Sequence, residues 1–194
     1  MLQLPPAPSP ARPRSLLVAT ALVCAAGLML FGGMLALYLG FRYQAGNSTE
    51  LWLPRGVQIP DVAVHTMMVT MVGACVMAQW AVYAIGQGNR RDTSIALAVL
   101  ALFGVAVLNA QVYVYNTMGL DIRADRYSVL VYTVTGAFLV ALVAGIAFAA
   151  MMAFREMGGR YSAKDHDGIS SLALYWYFLT LVFAGVWYCI YILE

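Results

Sequence analysis

Five stretches of this chain carry no Asp, Glu, Lys or Arg: Ser15–Phe41, Val62–Gly86, Thr93–Leu120, Tyr127–Phe154 and Ile169–Leu193. Each exceeds the roughly 20 residues that a helix needs to cross a hydrocarbon layer about 30 Å thick. A chain in lipid must satisfy its backbone internally, which leaves helices or closed barrels, and runs this long suit helices. The expected fold is therefore all-α: an integral membrane bundle of five transmembrane helices. The joints hold every charged residue except the N-terminal arginines and Glu194, and they leave no room for a soluble domain. With 62% hydrophobic and 10% charged residues, the chain is excluded from ordinary soluble classes. The predicted organisation is a proline-rich, disordered tail over residues 1–14 and one five-helix domain over 15–194.

Tyr127–Phe154 is the span around which the others are expected to arrange themselves. Its 28 uncharged residues reach roughly 42 Å as a helix, enough to cross with a tilt. Ala137, Ala141, Gly145, Ala149 and Ala153 recur every four residues, and small side chains let helices approach closely in lipid. They are the predicted helix-packing seam. Gly32, Ala36 and Gly40 of the first span make a second small face, expected to meet that seam. The last span is rich in aromatics, from Tyr175 and Trp176 to Tyr191, and is expected to face lipid or another subunit.

Basic residues set the orientation. Arg12, Arg14, Arg90, Arg91, Arg155, Arg160 and Lys164 fall on one side, and Arg42, Arg55, Arg123 and Arg126 on the other. The positive-inside rule then places the N-terminus in the cytoplasm and the C-terminus outside. The apolar run from Ser15 resembles a signal sequence but is too long for a cleaved one, so it reads as a retained anchor. Arg42 at one membrane edge, and Arg90 and Arg91 at the other, are candidates for phosphate headgroups, which guanidinium pairs bidentately. Dispersed along membrane edges, the basic residues give no footprint for nucleic acid.

The polar residues exclude more chemistry than they suggest. No ionisable carboxylate, amine or guanidinium lies mid-span, where transporters and proton relays carry theirs. His65 and His166 fall on opposite sides and cannot ligate one haem or copper together, and Asp165-His166-Asp167 in a loop is too unspecific for a metal site. Cys24, Cys75 and Cys189 lie within spans and read as packing residues. Asn109 and Gln111 near mid-span, and Asn116 further along, are expected to face other helices, because an unpartnered amide is costly in lipid. No catalytic, metal or cofactor-binding residue is assigned.

From about Ala26 onward the chain resembles the haem-copper oxidase subunit III family in its five-helix form. Leu28-Met29-Leu30-Phe31-Gly32-Gly33 through Ala36, Tyr38 and Arg42 is similar to the family's first-helix run. Trp80 with Gly88-Asn89-Arg90-Arg91 matches its next helix and turn. Gln111 and Tyr115 resemble a Gln-x-x-Glu-Tyr pattern, Tyr132, Thr135 and Gly136 a Tyr-x-x-Thr-Gly pattern, and Tyr175-Trp176, Phe178 and Tyr191 the final helix. The departures are systematic. Gly27 and Val114 stand where the family has acids, Phe138 and Ala141 where it has histidines, and Tyr177 and Thr180 where it has His and Asp.

The resemblance implies a divergent, non-catalytic accessory subunit of a cytochrome c or quinol oxidase in a bacterial plasma membrane. It implies packing beside catalytic subunit I and other oxidase subunits, with haem and copper in that partner, none in this chain, and bound membrane phospholipid. The related accessory subunit of nitric oxide reductase is the nearest rival. An assembly or supercomplex scaffold is a second, and a free-standing channel or transporter a third.

Overall fold

A computed structural model of the chain describes residues 14–46, 52–54, 57–121, 125–158 and 167–193. Among the described residues there are five helices long and apolar enough to cross a membrane, and no strand. They are α1 (Ser15–Gly46), α2 (Asp61–Gly86), α3 (Arg90–Met118), α4 (Arg126–Met157) and α5 (Asp167–Val186), the last continuing as a π-helical turn, Trp187–Ile192. The proline-rich tail, Arg55, Arg123, Arg160, Lys164 and the Asp165-His166 pair lie outside the described residues.

Local chemistry sets the ends. Pro60 precedes α2 and Asp61 sits in its first turn, where a carboxylate meets unsatisfied backbone N–H groups. Gly88, at φ 75°, turns the chain between α2 and α3. Asn89 then caps α3: its side chain accepts from the Asp92 backbone N–H at 3.2 Å and donates to the Asp92 carboxylate at 2.7 Å. This cap starts α3 at Arg90 rather than at Thr93. Gly119, at φ 55°, closes α3 by donating its N–H to the Tyr115 carbonyl.

Successive helices alternate in direction. We call the end where α1 begins proximal; it also holds the α2–α3 turn and the start of α5. The opposite end is distal. α1 and α5 run parallel, with Arg14 and Asp167 3.8 Å apart at the proximal end and Gly27 facing Phe178 further in. At the distal end Trp52, in the α1–α2 joint, donates its indole N–H to the Tyr38 hydroxyl at 3.2 Å. Its ring meets those of Tyr38 and Tyr127 edge-on at 5.3 and 5.7 Å. Arg126 lies over the Phe41 ring, which ties α4 to α1.

α5, not α4, is the central helix: it packs on α1, α2 and α4, while α3 joins α2 and α4 on the far side. Trp176, Leu179, Phe183 and Val186 of α5 are fully buried. The aromatics of the last span are thus divided, with Trp176, Phe178, Phe183 and Tyr191 inside and Tyr177 and Tyr188 outside. An aromatic helix fits here because its neighbours supply gaps for it. At Gly104 an added Cβ would stand 2.8 Å from the Trp176 ring, and Phe183 stacks on Phe138 at 5.0 Å.

The small face of α1 does not meet α4. Gly32, Ala36 and Gly40 are exposed, and nothing stands within 4 Å of where a Cβ would be at either glycine. α1 instead turns Cys24, Phe31 and Tyr38 inward. On α4, Gly145 and Ala149 are buried while Ala137, Ala141 and Ala153 are half-buried. The reason is geometric: residues four apart drift by about 40° per step on a helix of 3.6 residues per turn. The line that stays inward alternates threes and fours: Val131, Thr135, Phe138, Leu142, Gly145, Ala149, Met152 and Glu156.

Candidate functional site

Of the positions where the family resemblance implies titratable groups, Gly27, Val114 and Phe138 sit in apolar packing, while Tyr177 and Thr180 make neutral hydrogen bonds. A Cβ at Gly27 would lie 2.5 Å from the Phe178 ring, so the ring occupies the space an acid there would need. Val114 and Phe138 are wholly buried. On α5, the Thr180 hydroxyl donates to the Met71 carbonyl at 3.2 Å and accepts from the Cys75 thiol at 3.0 Å. Tyr177 donates its hydroxyl proton to the Gln79 carbonyl oxygen at 2.6 Å.

Glu156 apart, the buried polar residues carry no charged group. Gln111 is fully buried and donates from Nε2 to the Tyr191 hydroxyl at 3.2 Å, while its Oε1 finds no partner. Tyr191 sits in the π-helical turn, where the wider winding brings its hydroxyl to α3. Nearby, the Tyr115 and Thr135 hydroxyls lie 2.6 Å apart, and Tyr132 donates to the Leu120 carbonyl at 3.2 Å. These bonds join α3, α4 and α5 in the distal half. Hydroxyls and an amide can hold helices in register.

Asn109 and Asn116 point outward rather than toward other helices. Sequence spacing could not show this, because apolar residues surround them on both faces. Glu156 was equally unforeseen. Lying two residues beyond the apolar run, it is drawn inward by the extension of α4 to Met157, and it accepts the Ser94 hydroxyl proton across the α3–α4 seam. It is 3% exposed, the sole buried carboxylate among the described residues.

The candidate headgroup arginines occupy opposite ends. Arg42 is half-buried at the distal end, on the rim of a groove of about 420 Å³ formed with Leu39, Tyr43, Gly46 and Leu193. Arg90 and Arg91 are exposed in the first turn of α3 at the proximal end. His65 is exposed near the distal end. Its ring stands edge-on to Trp187 at 5.5 Å, with Nδ1 2.7 Å from the Asp61 carbonyl, to which it can donate. Among the described residues no three His, Cys, Asp or Glu side chains come together where they could hold a metal.

These features define a multi-pass helical membrane protein. The family model for cytochrome c oxidase subunit III matches residues 16–194, and the chain belongs to that family. It is similar to the cytochrome c oxidase subunit 3 of Thermostichus vulcanus, at 25% identity over 86% of this chain and 81% of that one. The subunit 3 of Corynebacterium diphtheriae is 23% identical over 94% of this chain and 90% of its own length. That of Prototheca wickerhamii is 29% identical over 73% of this chain, and the match covers 55% of its own length.

Proposed function

We propose that this chain is a non-catalytic, subunit III-like component of a respiratory haem-copper oxidase, packing beside the catalytic subunit and stabilising it together with bound phospholipid. The observation that carries the reading is the family match over residues 16–194 on a bundle in which, among the described residues, no Asp, Glu, Lys, Arg or His lies at mid-depth. Electron transfer needs ligands and proton relay needs titratable groups at depth, so both fall to the partner subunit, which holds the haem and copper. Membership of that family favours the oxidase over the nitric oxide reductase reading. The proximal end, with Arg14, Arg90, Arg91 and Arg155, faces the cytoplasm of a bacterial cell by the positive-inside rule. Arg42, Arg90 and Arg91 pair with headgroups in the two leaflets, and the buried small residues Gly145 and Ala149 let α4 approach its neighbours closely.

The test is purification of a tagged copy in mild detergent, followed by deletion of the chain. Haem- and copper-containing oxidase subunits should co-purify. The complex from the deletion strain should keep its haem, copper and initial turnover, but lose activity faster or require more added lipid. Capture of a nitric oxide-reducing complex, or a deletion complex that lacks a haem or is dead from the first turnover, would overturn the reading.

A further inference from the structure

The outer seam between α2 and α5 contains a groove of about 580 Å³ lined by Cys75, Val76, Gln79, Trp80, Tyr83 and Tyr177. Most of its wall is apolar, and its polar groups are the Cys75 thiol, the Gln79 carboxamide, the Trp80 indole N–H and the Tyr83 and Tyr177 hydroxyls. Thr180 and the Cys75 thiol satisfy each other and the α2 backbone behind the groove. Tyr177 gives its proton to Gln79 Oε1, a bond that fixes which way the carboxamide faces. The Gln79 Nε2 group is left with two N–H donors that find no acceptor among the described residues, and the side chain is exposed at the groove.

Depth decides what such a donor is worth. Gln79 lies seven residues before Gly86, the proximal end of α2, so it sits about 10 Å into the helix from that end. In hydrocarbon an unanswered amide donor is costly, and water is not there to answer it. The occupant must bring an acceptor to that depth. A phospholipid's phosphate and ester carbonyls stay near the helix end, at the level of the turn that carries Arg90. No charged side chain lines the groove, so a charged ligand has no counter-ion. What fits is a neutral carbonyl on an apolar body. The indole of Trp80 and the phenol rings of Tyr83 and Tyr177 supply flat walls suited to a planar ring.

We propose that the α2–α5 groove binds the ring of a membrane-dissolved lipoquinone, with one ring carbonyl accepting from Gln79 Nε2 and the isoprenoid tail running along the apolar wall at Val76. The proposal concerns binding alone, and no electron transfer is assigned to the site.

The experiment uses the full chain in phosphatidylcholine nanodiscs, titrated with decyl-ubiquinone and read by quenching of tryptophan fluorescence. Saturable quenching is expected, most of it absent in the Trp80→Phe protein because that indole lies in the groove. Gln79→Leu, which suits lipid better than glutamine and so keeps the fold, should weaken binding about tenfold, the loss for one unmade hydrogen bond in an apolar setting. Tyr177→Phe, which frees the carboxamide to rotate, should weaken it less. A photoreactive azidoquinone should label peptides of α2 or α5. Quenching that never saturates, Gln79→Leu affinity equal to that of the unaltered chain, or labelling confined to other helices would each overturn the site. So would a Gln79→Cys protein that, in the intact complex, cross-links to a partner helix seated in the groove.

Discussion

Gly27 offers the sharpest test of how the bundle is packed, because two effects of a single methyl group oppose each other there. Alanine is favoured over glycine within a helix by about 1 kcal/mol, so propensity alone makes Gly27→Ala stabilising. The structure argues the reverse. The new Cβ would stand 2.5 and 2.9 Å from two atoms of the Phe178 ring, closer than carbon atoms approach. Phe178 has little freedom to retreat, being almost buried and set against Phe31 at 6.4 Å and Tyr175 at 5.7 Å. Forcing such a shift costs about 1–3 kcal/mol, so the net effect should be a loss of about 1 kcal/mol. In a Phe178→Ala background the ring is gone, and Gly27→Ala should then stabilise by about 1 kcal/mol. The sign reversal corresponds to a coupling of about 2 kcal/mol, readable by a double-mutant cycle in reversible detergent unfolding of the purified chain. Gly27→Glu, which restores the family's acid, adds about 3 kcal/mol for a carboxylate near mid-span and should not raise turnover of the complex. If Gly27→Ala stabilises the chain whether or not Phe178 is present, the ring does not occupy that space and the argument fails.

Gly145→Leu should destabilise by about 2–3 kcal/mol, because its Cβ already falls 2.8 Å from Leu179 and 3.1 Å from the Tyr175 ring. Val140→Leu, on an exposed part of the same helix, is the neutral control, and equal yields of the two variant complexes would refute a packed seam. Arg42→Ala and Arg90→Ala should each lower the anionic phospholipid retained by the purified complex, as counted by lipid mass spectrometry. Unchanged retention would leave these arginines as topology determinants only.

The number of helices and the class of fold were legible because lipid imposes a length and a polarity on any segment that crosses it. What could not be read was the rotation of each helix about its axis. In water a polar stripe marks the outside, but α1 is apolar on every side, so Gly32, Ala36 and Gly40 gave no sign that they face outward. The same blindness hid the central place of α5. Its aromatics suggested a lipid-facing surface, yet Trp176 and Phe183 fill space left by Gly104 and by the facing Phe138. Gln111 was rightly expected to turn inward, and Asn109, two residues away, turns out instead. Glu156 escaped notice because it lies past the uncharged run, where only the true end of α4 decides whether it is solvated or buried.

The polar groups that remain show where the chain depends on its surroundings. Inside, Gln111, Tyr115, Thr135 and Tyr191 bond mainly to one another, so the bundle can hold its own register. On the outside, Asn109 lies within about 8 Å of the middle of α3, an amide with lipid or a neighbour as its only company. Exposed small residues on α1 offer a surface that another helix could approach closely, and close packing is the main force between helices in lipid. A free-standing protein gains nothing from an outward amide and an outward small face, both of which cost it favourable lipid contact. A subunit recovers that cost on assembly, when a partner covers them. The distribution of polarity thus agrees with the family membership from a direction that owes nothing to sequence similarity.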